Sequence, residues 1–186
     1  LVNLTDFTLF ENNFTSLPES IGNLINITDL GLGYNSLITL PESVGDLTNL
    51  THIDLKFNEV EFLPESVGNL TNLTHLYLDH NSITELPETI GDLTNLVTLS
   101  IFRNQLETLP ESIGNLVNLT DFNPFENNLT SLPESIGNMV NVNSFNVSSN
   151  QIVSIPVSIC DLNLDLQNNI NLSNNNFCPP YPDCLS

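Results

Sequence analysis

Apolar residues recur along this chain at one fixed spacing, shown in full by the stretch from Leu50 to Asn72, LTHIDLKFNEVEFLPESVGNLTN. The repeating units begin at Leu4, Ile27, Leu50, Leu73, Leu96, Leu119 and Val142. Each start follows the previous one by 23 residues, and a shortened eighth unit begins at about 167 after a slip of two residues. A fixed period of this length predicts a solenoid, because each unit needs neighbours to bury its leucines.

The first part of each unit predicts a short β-strand followed by a turn. Apolar and polar residues alternate before Leu55, so Ile53 and Leu55 should face inward and His52 and Asp54 outward. An asparagine follows in every unit: Asn12, Asn35, Asn58, Asn81, Asn104, Asn127, Asn150 and Asn175. A buried amide can satisfy backbone groups of its own and of the adjacent unit, so we predict that this column is a structural ladder.

The second part of each unit carries the motif Leu-Pro-Glu-Ser-Ile/Val-Gly, as in Leu63 to Gly68. Proline suits the first turn of a helix and glycine its end, which predicts a short helix or a 3-10 turn on the outer side. Strands about 4.8 Å apart opposite bulkier turns should curve the solenoid with its sheet concave. Pro124 occupies a strand position and lacks a backbone donor, so the sheet should be disturbed locally there.

The combined pattern L-x-x-L-x-L-x-x-N-x-L resembles the leucine-rich repeat family over nearly the whole chain. The LPESIG segment is similar to the 23-residue type found in bacterial and Ras-group-like proteins. The resemblance implies an α/β fold, a right-handed curved horseshoe segment with parallel strands on the concave face and short helices or 3-10 turns on the convex face. It further implies one domain over residues 1–186. It says little about function, which such scaffolds carry at their variable positions.

Composition narrows the classes of function. The sequence contains 22 acidic residues and two basic ones, Lys56 and Arg103, which gives a formal net charge of −20. Such a surface repels nucleic acid and anionic lipid, and no apolar run is long enough to cross a membrane. The sequence contains no nucleophile elbow, phosphate loop or HExxH motif. We therefore predict a protein that is not an enzyme and needs no cofactor.

The cysteines, Cys160, Cys178 and Cys184, lie together at the C-terminal end, which favours an oxidising compartment. By register Cys184 lies about one unit from Cys160, so Cys160–Cys184 is the first candidate bridge and Cys178–Cys184 the second. The remaining thiol would be free or would pair with a partner. Residues 160–186 resemble the cysteine-bearing caps of extracellular leucine-rich repeat proteins, which implies a secreted or cell-surface location.

Parallel strands align equivalent positions, so the residues of the concave face can be written out from the sequence. The unusual side chains concentrate in the third to fifth units, where aromatic and arginine residues are common interface anchors. The predicted partner-binding residues are His52, Asp54, Lys56, Phe57, His75, Tyr77, Asp79, His80, Phe102 and Arg103. Two of these histidines with Asp54 and Asp79 could chelate a metal, but solvated histidines on a sheet are commoner, so no metal site is predicted.

The predicted function is non-catalytic protein recognition through the concave face. Two alternatives stay open, a carbohydrate or cell-surface adhesion module and a structural spacer within a larger protein. The stretch Leu1-Val-Asn-Leu4 shows no cap, so self-association through the N-terminal end is also expected. Asn-x-Thr triplets such as Asn26-Ile-Thr28 recur at one slot of the repeat, which favours a by-product of the pattern over glycosylation sites.

Overall fold

The computed structural model describes residues 3–164 and 169–185, and within them eight parallel strands form one sheet in sequence order. The strands are β1 (Asp6–Thr8), β2 (Asp29–Gly31), β3 (His52–Asp54), β4 (His75–Tyr77), β5 (Thr98–Ser100), β6 (Asp121–Asn123), β7 (Ser144–Asn146) and β8 (Ile170–Asn171). The predicted solenoid of short parallel strands is confirmed. The predicted start of the eighth unit at about 167, like Leu1 and Val2, lies outside the described residues.

On the other side of each unit, the chain forms a short 3-10 turn directly after a proline. The turns span Glu19–Asn23, Glu42–Asp46, Glu65–Asn69, Glu88–Asp92, Glu111–Asn115, Glu134–Asn138, Val157–Asp161 and Asp183–Leu185. Pro64 has an extended backbone with φ −66° and ψ 149°, and its carbonyl accepts a 3.0 Å hydrogen bond from the N–H of Val67. In the described part of the chain no α-helix forms, so the 3-10 turn is the correct one of the two predicted alternatives.

The core is a stack of aliphatic side chains between the sheet and the 3-10 turns. Ile53 and Leu55 have no exposed surface, as the alternation in β3 predicts, and Val67 reaches the same core from the turn. Each such side chain stabilises the fold by roughly 1.5–3 kcal/mol through burial. Phe122 and Phe145 take the inward position in β6 and β7, where their ring centroids lie 6.2 Å apart.

The asparagine column, which we call the asparagine ladder, links each unit to the one before it. The Asn58 side chain is buried, and its Oδ1 accepts a 3.0 Å hydrogen bond from the N–H of Leu37. Its Nδ2 donates to the carbonyls of Leu32 and Leu55, both at 3.0 Å. Equivalent bonds to the preceding unit are made by Asn35, Asn81, Asn104, Asn127, Asn150 and Asn175. Without this amide the buried N–H of Leu37 would have no partner, and the carbonyls of Leu32 and Leu55 would each keep only a donor from a neighbouring ladder asparagine.

The glycine in each of the first six 3-10 turns allows neighbouring units to approach closely. None of the glycines has a positive φ, so the turn does not need the conformational freedom of glycine. A Cβ atom at Gly68 would instead lie 2.6 Å from Cβ of Thr89 and 2.7 Å from its backbone oxygen. The prediction that this glycine marks a helix end is therefore not the explanation. Glycine is required because a larger residue would have no space against the next unit.

Pro124 changes the pairing of the sheet at one point, as predicted. In most units the residue at this position donates to the next strand, as the N–H of Leu55 does to the carbonyl of Tyr77 at 2.9 Å. Proline has no N–H, and β6 pairs with β7 over two residues where β5 pairs with β6 over three. The strand itself still forms.

A second column of asparagines holds the flank opposite the ladder. Nδ2 of Asn49 donates to the carbonyl of Ile25 at 2.8 Å, and Nδ2 of Asn72 donates to that of Thr48 at 2.9 Å. The same bond to the preceding unit recurs at Asn95, Asn118 and Asn141. Several Asn-x-Thr triplets fall on this column, and an amide nitrogen held in this way has a structural use.

A disulfide joins Cys160 and Cys184, with 5.8 Å between their Cα atoms. It ties the 3-10 turn Val157–Asp161 to the turn Asp183–Leu185 and closes a loop with a sequence separation of 24 residues. Cys178 is exposed and its thiol is free. The bond found is the first of the two candidate pairings.

Candidate functional site

The outward side of the sheet, which we call the concave face, brings predicted residues of neighbouring units side by side. His52 lies opposite His75 in the register of β3 and β4, and Asp54 lies opposite Tyr77. Phe57 and Arg103 are exposed, while His52, Asp54, Lys56, His75, Tyr77, His80 and Phe102 are half-buried. These nine side chains therefore form one patch across three adjacent units. Their role in binding remains a prediction.

Each concave segment ends in a residue with a left-handed backbone, which sequence analysis did not predict. The φ angles lie between 52° and 55° at Glu11, Tyr34, Phe57, His80, Arg103, Glu126, Ser149 and Asn174. Each of these residues directly precedes an asparagine of the ladder. A residue with a Cβ rarely adopts this conformation, and β-branched residues are the least suited to it. The signal in the sequence was that Val, Ile and Thr are missing from this column.

Aromatic side chains of successive units stack into a continuous row, which we call the ring ladder. It consists of Phe10, Tyr34, Phe57, His80, Phe102 and Phe125. The Phe57 ring lies 4.4 Å from that of Tyr34 and 4.1 Å from that of His80, nearly parallel to both. In the sequence these residues occupy two adjacent positions of the repeat. The structure joins them because the left-handed residues and their neighbours project from the same edge of the sheet.

A second stack, the histidine pair, lies on the strands themselves. The rings of His52 and His75 are 4.4 Å apart with 8° between their planes. Nδ1 of His52 lies 2.9 Å from Oγ1 of Thr51 and 3.4 Å from a carboxylate oxygen of Asp29. Burial and the neighbouring His52 lower the pKa of His75, which Asp121 partly raises again. His75 therefore favours its neutral form near pH 7.

Both basic side chains of the protein already have anionic partners. Nζ of Lys56 lies 3.3 Å from Asp54 and 4.5 Å above the centre of the Tyr77 ring. Nε of Arg103 donates to Glu126 at 2.6 Å. The positive charges on the concave face are thus neutralised before any partner binds.

Asp79, one of the predicted partner-binding residues, is buried with 3% of its surface exposed. Its carboxylate accepts hydrogen bonds from Oγ of Ser100, at 2.5 Å, and from the backbone N–H of Phe102. Burial raises the pKa of Asp79, and these bonds offset part of that effect. Asp79 therefore does not meet a partner at the surface; it positions the backbone before Phe102. The strand alternation had ended before this residue, so it could not indicate the direction of the side chain.

Other features of the surface lie away from this patch. A cleft of about 360 Å³ is lined by Glu61, Phe62, Ser82, Thr84, Glu85 and Gln105, between the asparagine ladder and the 3-10 turns. In residues 3–164 and 169–185, no three His, Cys, Asp or Glu side chains are grouped so that they could hold a metal ion. Nor does any helix in that part have the length and apolar character needed to span a membrane.

Comparison with known proteins extends the structural description. Residues 48–106 match the family described as Leucine rich repeat. The fold is that of a leucine-rich repeat protein from Leptospira interrogans, with 32% identity and a TM-score of 0.85 over 96% of this chain and 45% of that one. Curated protein sequences give no match.

Two further solved structures are similar to this chain. The PEPR1–AtPEP1 crystal structure matches 100% of this chain at 31% identity and a TM-score of 0.86. The ectodomain of the Arabidopsis receptor kinase HAESA, in complex with an N-terminally extended IDA peptide hormone ligand, matches 98% of this chain at 26% identity and a TM-score of 0.81. This chain spans 27% and 32% of those chains, respectively.

Proposed function

We propose that this leucine-rich repeat solenoid is a non-catalytic recognition module that binds an extended peptide segment of a partner protein on the concave face of its third to fifth units. The observation that carries the proposal is the patch formed by β3, β4, β5 and the segments after them. The proposed anchors are His52, Lys56, Phe57, His75, Tyr77, His80, Phe102 and Arg103. Support also comes from the two similar structures that hold a peptide hormone or AtPEP1.

The proposed mechanism is rigid presentation of these anchors. Phe57 and His80 have a fixed left-handed backbone, their rings stack on each other, and the following asparagines tie that backbone to the preceding unit. Side chains that are already ordered lose little conformational freedom on binding, so more of the contact energy contributes to affinity. An open sheet face also leaves a bound ligand in contact with water, in keeping with a binding role.

Peptide selection from a displayed random library tests the proposal directly. Binding of the selected peptides, measured by fluorescence anisotropy, should fall at least about tenfold in the double variant Tyr77→Ala with Arg103→Ala. The matched control, Glu88→Ala with Thr94→Ala, changes two exposed residues away from the concave face and should bind like the parent. A library that yields no binder, or binders that need neither Tyr77 nor Arg103, would refute the proposal.

Carbohydrate adhesion is the weaker of the two binding alternatives on this geometry. Sugars stack on the faces of aromatic rings, but both faces of Phe57 are covered by its neighbours and Lys56 lies over one face of Tyr77. The ring ladder therefore offers mostly ring edges to a ligand. Binding to a glycan array that is lost in the Tyr77→Ala variant would reverse this order of preference.

We further propose that residues 1–186 form one domain of the LPESIG type, that residues 160–186 are a cysteine-bearing cap, and that the protein is secreted or on the cell surface. The Cys160–Cys184 disulfide supports the cap and an oxidising compartment. The similarity to receptor ectodomains supports the location. Expression with a secretory leader, followed by mass spectrometry of unreduced peptides, should recover the linked pair; recovery of both thiols in reduced form would contradict the location.

A further inference from the structure

Carboxylates and histidines line one outward column of the concave face. In the outward column that contains the histidine pair, the carboxylates are Asp6, Asp29 and Asp121, and the side chain of Asp29 is 44% exposed. Each of the three accepts a hydrogen bond from the preceding threonine hydroxyl and keeps further acceptor capacity. A face of this kind complements a ligand rich in N–H donors.

In its neutral form, each ring of the histidine pair adds one more acceptor. Oγ1 of Thr51 lies 3.1 Å from the carbonyl of Thr28 and 2.9 Å from Nδ1 of His52. A hydroxyl has one hydrogen and a carbonyl can only accept, so both contacts are satisfied only if the hydroxyl donates to the carbonyl and Nδ1–H donates to the hydroxyl. The nearby carboxylate of Asp29 also favours a proton on Nδ1.

The same assignment follows for His75. Oγ1 of Thr74 lies 2.9 Å from both the carbonyl of Thr51 and Nδ1 of His75. In the neutral rings Nε2 then carries a lone pair, and the described residues give Nε2 of neither His52 nor His75 a hydrogen-bond partner. Two parallel acceptors therefore stand side by side on β3 and β4.

Positive charge on the face does not offset these acceptors. Lys56 and Arg103 are the only basic residues in the sequence, and each lies against its own carboxylate. An anionic ligand would have to displace Asp54 or Glu126, whereas a cationic ligand meets Asp29, Asp121 and the two imidazoles directly. Charge complementarity therefore favours a cationic ligand over an anionic one.

We propose that the concave face selects a positively charged peptide segment, whose arginine or lysine side chains and backbone N–H groups bind Asp29, the histidine pair and Asp121. This inference rests on the proposed peptide-binding function and specifies its ligand. Four strand spacings separate β2 from β6, about 19 Å, which an extended segment of about six residues covers. The ring ladder forms an apolar border along this path.

The test uses three hexapeptides of alternating sequence: arginine–serine, glutamine–serine and glutamate–serine. Isothermal titration calorimetry on the whole chain should show the arginine peptide binding at least tenfold more tightly than the glutamine peptide, with no binding of the glutamate peptide. Equal affinity for the arginine and glutamine peptides, or preference for the glutamate peptide, would overturn the inference without any variant being needed.

Variants of equal charge separate the concave face from general attraction to an acidic protein. Asp29→Asn with Asp121→Asn removes two carboxylates from the face, and Glu88→Gln with Glu134→Gln removes two from the 3-10 turns. Both take the formal net charge from −20 to −18. The first pair should weaken binding of the arginine peptide at least tenfold, and the second less than twofold. Equal losses would mean non-specific attraction and would overturn the inference.

The library selection described above distinguishes failure of this inference from failure of the proposed function. Peptides that need Tyr77 and Arg103 but carry no positive charge would refute the charge preference and leave peptide recognition standing. A selection without binders would remove the proposed function itself.

Discussion

Oδ1 of Asn58 accepts a hydrogen bond from the backbone N–H of Leu37, 21 residues earlier in the chain. The same side chain donates to the carbonyl of Leu32 in that unit and to the carbonyl of Leu55 in its own. One buried amide therefore joins two units through two hydrogen bonds and holds its own unit with a third. The leucine core holds the units together through apolar contact, while the asparagine fixes their relative register through hydrogen bonds.

Replacing Asn58 with alanine should lower the free energy of unfolding by on the order of 1–3 kcal/mol, because the buried N–H of Leu37 loses its partner and two carbonyls each lose one of their donors. Urea denaturation followed by circular dichroism measures the change. Asn12→Ala is the matched control: Asn12 is exposed, and its Nδ2 bonds reach only Leu9 and Phe10 within its own unit. Equal losses in the two variants would show that the link between units contributes nothing.

Gly68→Ala should destabilise the protein by about 1–3 kcal/mol, because the new methyl group collides with the backbone of the next unit. Gly33→Ala provides the comparison, since a Cβ there would meet only side-chain atoms, of the Phe10 ring and of the Asp54 carboxylate, and no backbone. Thermal unfolding should therefore show a clearly larger loss for Gly68→Ala. A larger loss at Gly33 would contradict the proposed reason for glycine in the 3-10 turns.

Asp79→Asn should raise the melting temperature at pH 7. The pKa of Asp79 is raised above its ordinary value of 3.8, so the folded protein binds more protons than the unfolded chain between the two values. The free energy of unfolding of the parent thus falls as pH rises from about 3.8 through the raised pKa. The Asp79→Asn variant does not lose this stability, because asparagine does not titrate. The difference in melting temperature should grow over that window and then stay constant.

The exposed Asp92 serves as the control for this experiment, since Asp92→Asn should melt close to the parent temperature throughout. A difference for Asp79→Asn that is independent of pH would show that burial of this carboxylate does not cost stability.

Removal of the disulfide by Cys160→Ser with Cys184→Ala should destabilise the protein by about 3.5 kcal/mol, as chain-entropy arguments give for a loop of this size. The effect should be largest in probes of the C-terminal end, because solenoid units depend on their neighbours. Cys178→Ser should leave the melting temperature unchanged. Under full reduction the parent should behave like the double variant.

The sheet and the inward columns could be predicted from the sequence because a fixed period forces equivalent residues into equivalent places. The positions of Leu50, Ile53 and Leu55 carry apolar residues in the other full units, apart from Pro124, and most of these residues are buried as expected. The choice between a helix and a 3-10 turn was left open, since five residues such as Glu65–Asn69 are too few for periodicity to distinguish them.

The site was predicted less completely. The residues of the patch could be identified by counting positions in the repeat. The stacking of Phe57 on His80, however, depends on a left-handed backbone, and no glycine at these positions indicated that conformation. The burial of Asp79 was missed because alternation ends with the strand, and beyond it only the path of the chain decides which way a side chain turns. Spacing therefore locates the candidate site, while backbone conformation determines which atoms it offers.

The left-handed residue before each ladder asparagine has a consequence for how such a surface can diversify. Its occupants here include Glu, Tyr, Phe, His, Arg, Ser and Asn, so charge, size and aromaticity all vary without loss of the backbone shape. Steric limits exclude only a few residue types from this position, chiefly the β-branched residues and proline. A combinatorial library at this column that omits Val, Ile, Thr and Pro could therefore retarget the scaffold while leaving its architecture intact.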